Sequence, residues 1–205
     1  MNFIYYGRQC DLNVGNGKTV SAVGQIINSY IQSDESRPIF SNIKLNHIEY
    51  TPLLPTTLDE ALEVDNALVL LDEIHAIVHK NHRITERCKR HDTEGLCYLL
   101  SEFLRQVRKR HIDTHSTAQD KWDVHYQYRV VMQTGIVCEK FHITEEGNLK
   151  RCTPEKYTNH ECPTSHEHWI KQTNDRTGTK TYFDPEPYYG FYNSFEIVKG
   201  WVSYD

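Results

Sequence analysis

The apolar positions of this chain follow two alternating rhythms. NFIYYG (2–7) is an aromatic and β-branched run closed by a glycine, which predicts a buried strand. From Lys18 to about Gln32, Val20, Val23, Ile26, Ile27, Tyr30 and Ile31 recur at intervals that put them on one face of a helix. PIFSNIKL (38–45) predicts a second strand, and Thr57, three residues before Glu60, forms a capping box that opens a short helix through LDEALEV. NALVLLDE (66–73) is a continuous apolar strand ending on two acids. GLCYLLSEFLRQVRKR (95–110) lines up Leu96, Leu99, Leu100, Phe103, Leu104 and Val107 along one helical stripe. IDTHSTAQ (112–119) and VVMQTGIVCEKFHI (130–143) complete the strands. Strands and helices taking turns in this way predict an α/β fold, a mainly parallel sheet covered by helices on both faces.

Beyond about Leu149 the rhythm stops. Residues 150–178 are polar and turn-rich, whereas 182–204 concentrate aromatics: Tyr182, Phe183, Tyr188, Tyr189, Phe191, Tyr192, Phe195, Trp201 and Tyr204. This predicts a core over 1–149 and a C-terminal extension over 150–205 that packs back on the core. At 205 residues the chain suits one well-buried domain better than two. A net charge of −5 argues against a general nucleic-acid coat, so any DNA contact must come from a local basic patch. The longest apolar run, Ala67–Leu71, is far too short to span a bilayer, and the N-terminus lacks a signal-peptide pattern. An intracellular, soluble protein is expected. The six cysteines form no C-x-x-C pair and read as free thiols.

The candidate chemistry starts at Gly17-Lys18-Thr19, where a strand gives way to a helix. Backbone N–H groups at a helix N-terminus bind phosphate oxygens. Gly15, Asn16 and Gly17 would line such a loop, Lys18 would reach the β- and γ-phosphates of ATP, and the Thr19 hydroxyl would ligate Mg²⁺. The usual spacing fails, because Leu12 stands where the leading glycine belongs. Gly7 does close the preceding strand, so the loop reads G-x9-G-K-T, five residues longer than usual. The apolar strand ending in Asp72-Glu73 supplies a second nucleotide-hydrolase motif, in which Asp72 holds the Mg²⁺ and Glu73 polarises the attacking water. Two such motifs at strand ends, in order and separated by an intervening strand and helix, point to nucleotide hydrolysis.

LLDEIH, a helix ending LRQVRKRHID and a polar strand ending STAQ together resemble the FtsK-HerA superfamily of DNA-pumping ATPases. The resemblance covers about residues 2–130 and is strongest to the viral genome-packaging branch, of the kind found in the Sulfolobus turreted icosahedral viruses. It implies a RecA-like P-loop NTPase fold and a homo-oligomeric ring. It further implies translocation of double-stranded viral DNA into a capsid through a portal vertex, in the host cytoplasm or with the virion. By the same resemblance Gln119 senses the γ-phosphate or the attacking water. An arginine acts in trans from the neighbouring subunit: Arg108 fits best, Arg105 and Arg110 are close rivals, and Arg129 is weaker. The stretched phosphate loop departs from the family pattern.

Lys80, Arg83, Arg87, Lys89 and Arg90 lie between the acidic strand and the Arg-rich helix and are expected to grip the DNA backbone. Cys152, His160, Cys162, His166 and His168 are metal-ligand types, but their spacing matches no zinc module. The C-terminal aromatics are expected to serve packing, with one near the adenine base. Three rival readings remain: a small-molecule P-loop kinase, an assembly ATPase of the filamentous-phage type, and a degenerate P-loop protein that binds nucleotide without turnover.

Overall fold

The computed structural model of the chain describes residues 1–7, 17–78, 100, 102–144, 146, 148–151 and 168–197. Its centre is strand β1 (Asn2–Tyr6), which pairs in parallel with β6 (Asp113–Thr117) on one side and β7 (Thr134–Ile143) on the other. From β6 the parallel sheet continues through β5 (Leu68–Leu71), β2 (Ile39–Ser41) and the short β4 (Thr51–Pro52). From β7 the sheet turns antiparallel through β9 (His168–Asn174) and β10 (Lys180–Phe183), while β8 (Leu149–Arg151) also pairs with β7. The order is therefore β10-β9-β7-β1-β6-β5-β2-β4. The chain has the mainly parallel sheet expected of it, with β6 inserted between β1 and the acidic strand β5.

Both faces of the sheet are buried, which is why β5 is apolar at every position rather than at alternate ones. Helix α1 (Lys18–Gln32) covers the face presenting Tyr5, Leu68 and Leu70. The other face presents Ile4, Val69 and Leu71 to α2 (Leu58–Glu63), α3 (Ile74–Ile77), the helical residues 102–107 (α4) and α5 (Tyr126–Val131). The 3.6-residue spacing of 18–32 places that helix where the pattern predicts it.

Tertiary contacts revise several local readings. The predicted strand 38–45 is two strands in two sheets. β2 belongs to the main sheet, whereas β3 (Ile43–Leu45) pairs antiparallel with β11 (Tyr192–Ile197). The break falls at Asn42, where the Ser41 hydroxyl donates to the Ile43 carbonyl at 2.8 Å and accepts its amide at 3.1 Å. The Thr57 hydroxyl turns backward, accepting the Leu54 amide at 2.8 Å and donating to the Pro52 carbonyl at 3.0 Å, so it leaves the helix it precedes uncapped. Val130 and Val131, read as the start of a strand, end α5. A β-branched pair is neutral enough to be helical when Tyr128 of the same turn is fully buried against the core.

The region after 149 continues the main sheet through β9 and β10. Residues of a further turn (Glu186–Phe191) then cross α1. Phe183 and Tyr188 stack with centroids 5.1 Å apart, and the Tyr188 hydroxyl donates to Asn28 Oδ1 at 2.7 Å. Gly24 makes this approach possible, since a Cβ there would lie 2.4 Å from Phe183 Cζ.

Candidate nucleotide site

The parallel strands β1, β5 and β6 end side by side, and their carboxyl ends form the crevice in which α/β sheets bind ligands. Gly7 follows β1, and its amide donates to the Gln119 carbonyl at 3.3 Å beyond the end of β6. Gly17 opens α1 in the left-handed region, at φ 79°, and among the described residues no side chain caps the helix. First-turn amides of a helix are the donors that bind an anion. Gly17 is required on two grounds: its positive φ, and the Ile170 side chain of β9, whose Cδ1 would stand 2.3 Å from any Cβ. Gly15 and Asn16, with the rest of 8–16, lie outside the described residues.

Lys18 is buried, and burial lowers its pKa while Glu73, Cys138 and Asp72 act to raise it. The Asp72 carboxylate, 6% exposed, accepts hydrogen bonds at Oδ1 from Thr19 Oγ1 at 2.8 Å and from Thr117 Oγ1 at 2.6 Å. Burial pushes its pKa up, and these two hydroxyls pull it back. Glu73 is raised by burial and lowered by Lys18, and its Oε2 lies 3.2 Å from His75 Nε2. A hydroxyl and a carboxylate oxygen side by side are the hard donors that Mg²⁺ takes, so Thr19 and Asp72 fit that ion. Lys18 at a helix start fits a polyphosphate. The structure thus brings Gly17, Lys18, Thr19, Asp72 and Glu73 together, with Gln119 exposed at the rim.

Two participants escaped the sequence reading. Thr117 sits within the quoted STAQ run but shows its role only through its contacts with Asp72 and, as acceptor, with the Glu73 amide at 3.0 Å. Asn42 is buried beside β5, and its carboxamide holds the Asp72 backbone. No local signal marks either residue.

Arg108 is placed elsewhere. It lies in the 3₁₀ turn Arg108–Arg110 before β6, so the whole strand, about 15 Å at 3.3 Å per residue, separates it from the carboxyl-end crevice of its own chain. Arg105 pairs with Glu102 at 2.6 Å and Arg110 with Asp65 at 3.4 Å, whereas Arg108 has no carboxylate partner among the described residues. Arg129 stacks over Trp122 with its guanidinium 4.6 Å from the ring centroid. The basic run 79–92 and the Cys152–His166 cluster lie outside the described residues, and no side-chain contact of His168 is described. Among the described residues no helix is long and apolar enough to cross a membrane.

No protein-family model matches the sequence, and no curated protein matches it either. Solved structures do resemble it. The N-terminal domain of zonular occludens toxin from Neisseria meningitidis superposes with a TM-score of 0.54 at 11% identity, over 94% of this chain and 98% of that one. The genome packaging NTPase B204 from Sulfolobus turreted icosahedral virus 2, in complex with ATP-gammaS, gives 0.48 at 10% identity over 89% and 96%. B204 from Sulfolobus turreted icosahedral virus gives 0.48 at 12% identity over 90% and 99%. At these identities the likeness concerns the fold alone, which is that of the P-loop NTPases.

Proposed function

We propose that the chain is a Mg²⁺-dependent ATPase that works as a homo-oligomeric ring and drives double-stranded viral DNA into a capsid. The observation that carries the hydrolytic part is the meeting of Lys18, Thr19, Asp72 and Glu73 at the carboxyl ends of β1 and β5, with Thr19 and Asp72 joined at 2.8 Å. Lys18 and the first-turn amides of α1 hold the β- and γ-phosphates. Thr19 and Asp72 hold the metal, which when bound neutralises phosphate charge. Glu73 takes the proton of the attacking water, and the Gln119 side chain orients that water from the rim. Arg108 stands a full strand length from its own site, as suits a residue presented to the site of a neighbouring copy.

The motor part is supported by the Arg-rich helix end followed by a polar strand ending in Gln119. Turnover measured with and without duplex DNA tests it. DNA-stimulated ATP hydrolysis, abolished with nucleotide binding in Lys18→Ala, is the expected result. Equal nucleotide affinity in wild type and Lys18→Ala would remove the site assignment. Phosphate appearing on a metabolite instead of in water would make the protein a kinase.

A further inference from the structure

Glu73 adopts φ 51° and ψ 43°, a left-handed conformation that an L side chain occupies only at a cost. Three hydrogen bonds hold it there. Asn42, 2% exposed, accepts the Asp72 amide at Oδ1 (2.7 Å) and donates from Nδ2 to the Asp72 carbonyl (2.9 Å). Thr117 Oγ1 accepts the Glu73 amide at 3.0 Å. The peptide group joining Asp72 to Glu73 is therefore gripped at both ends, its carbonyl by Asn42 and its amide by Thr117. It cannot rotate toward an ordinary conformation without orphaning a buried polar group.

The aim of Asn42 is itself fixed. Its amide donates to the Leu70 carbonyl at 3.2 Å, continuing the ladder beyond β2. On its other side the chain enters β3, whose Ile43 and Leu45 pair with Ile197 and Tyr192 of β11. Asn42 thus sits where the two sheets join, with a carboxamide that supplies one donor and one acceptor to a single residue of the neighbouring strand. Among the natural side chains of this length only asparagine offers both in a fixed plane.

We infer that Asn42 is a positioning residue for hydrolysis, gripping the Asp72–Glu73 peptide so that the Glu73 carboxylate stays aimed into the site. Its carboxamide bonds the Asp72 backbone, so it acts through Glu73. The inference rests on the ATPase reading above, which makes Glu73 the base.

The test uses the full-length protein and two variants. Asn42→Ala removes both bonds. Asn42→Asp keeps the shape and the acceptor for the Asp72 amide but loses the donor to its carbonyl. In either variant kcat should fall by about 10²-fold, the scale on which small misplacement of a reacting group is felt. KM for ATP and the affinity for a non-hydrolysable analogue should stay within about threefold, because Lys18, Thr19 and α1 are untouched. Amide hydrogen exchange supplies a readout that needs no turnover. The Asp72 and Glu73 amides should be protected in the wild type, and the Asp72 amide, which loses its acceptor, should exchange fast in Asn42→Ala with the rest of the sheet unchanged. Fast exchange of these two amides in the wild type would overturn the inference even if neither variant folded. So would an unchanged kcat well below the melting temperature, or a loss of kcat and affinity together with protection lost across the sheet. A wild type without ATPase activity would instead sink the ATPase reading, leaving the exchange experiment to judge the grip.

Discussion

The Thr117 hydroxyl lies 2.6 Å from Asp72 Oδ1, joining the end of β6 to the end of β5 across the candidate site. The same oxygen accepts the Glu73 amide, so one side chain holds the Asp72 carboxylate and the Glu73 backbone. Thr117→Val keeps the volume and branching and deletes both bonds. A hydrogen bond to a charged group contributes about 1.5–3 kcal/mol, so kcat should fall by about 10- to 100-fold. Thr117→Ser should recover most of it. Steady-state hydrolysis of the two variants at matched nucleotide saturation measures this. Equal rates in Thr117→Val and wild type would show that the hydroxyl only packs.

Glu73→Gln should separate binding from chemistry. The amide cannot take a proton from water, yet Lys18, Thr19 and the α1 amides are intact. ATP affinity by equilibrium titration should match the wild type while turnover is lost. Retained turnover would assign the base elsewhere.

Arg108 is expected to act on the neighbour's nucleotide, and such arginines contribute roughly 10³–10⁵ in rate. Arg108→Ala should bind ATP normally and hydrolyse it poorly. A site between subunits can be proved by mixing. Equal parts of Lys18→Ala and Arg108→Ala subunits leave about a quarter of the heterologous interfaces with an intact loop facing an intact arginine. Activity should then appear from two inactive proteins. None appearing, with subunit exchange shown independently and with wild type diluted by Lys18→Ala losing rate only in proportion, would place the arginine in cis.

His115 makes stability depend on pH. It is buried in β6, stacked on Phe3 at 4.9 Å, with Tyr5 Oη 3.0 Å from Nδ1. Burial lowers its pKa from 6.5 to about 4, against the attraction of Asp113. Between those values the unfolded chain binds a proton that the folded chain refuses, so stability falls as the pH drops through this window. From pH 7 to pH 5 the loss attributable to His115 is about 2 kcal/mol. Urea unfolding at both pH values should show it in the wild type, and His115→Gln should lose that share of the difference. An identical pH dependence in the variant would mean that the imidazole takes up its proton inside the fold.

Gly24→Ala tests the seat of the C-terminal extension. Alanine raises helix propensity by about 1 kcal/mol, but its methyl group would meet Phe183, held in place by its stack on Tyr188. Overpacking of this kind costs about 1–3 kcal/mol, so a net loss is expected by chemical unfolding. Phe183→Leu in the same chain should relieve it. A more stable Gly24→Ala protein would show that the aromatics yield freely.

The local patterns that a sequence carries were enough for the helix over 18–32, the apolar strand before Asp72 and the conjunction of Lys18 and Thr19 with a helix start. Each depends on the spacing of neighbours along the chain, and 3.6- and 2-residue periods are written there directly. What those patterns could not order was the sheet. Strand β6, forty-two residues beyond β5, inserts between β5 and β1, and only that order brings Thr117 against Asp72 and Gln119 against Gly7. The turn at Asn42 is likewise invisible in PIFSNIKL, where Ile39, Phe40, Ile43 and Leu45 read as one strand. Both hydrogen-bonding partners of the asparagine carboxamide belong to Asp72, thirty residues away. Periodicity decides which face of an element is buried. Which element it is buried against follows from the pairing of strands distant in sequence, and the hydrogen bonds that aim the carboxylates exist only after that pairing is made.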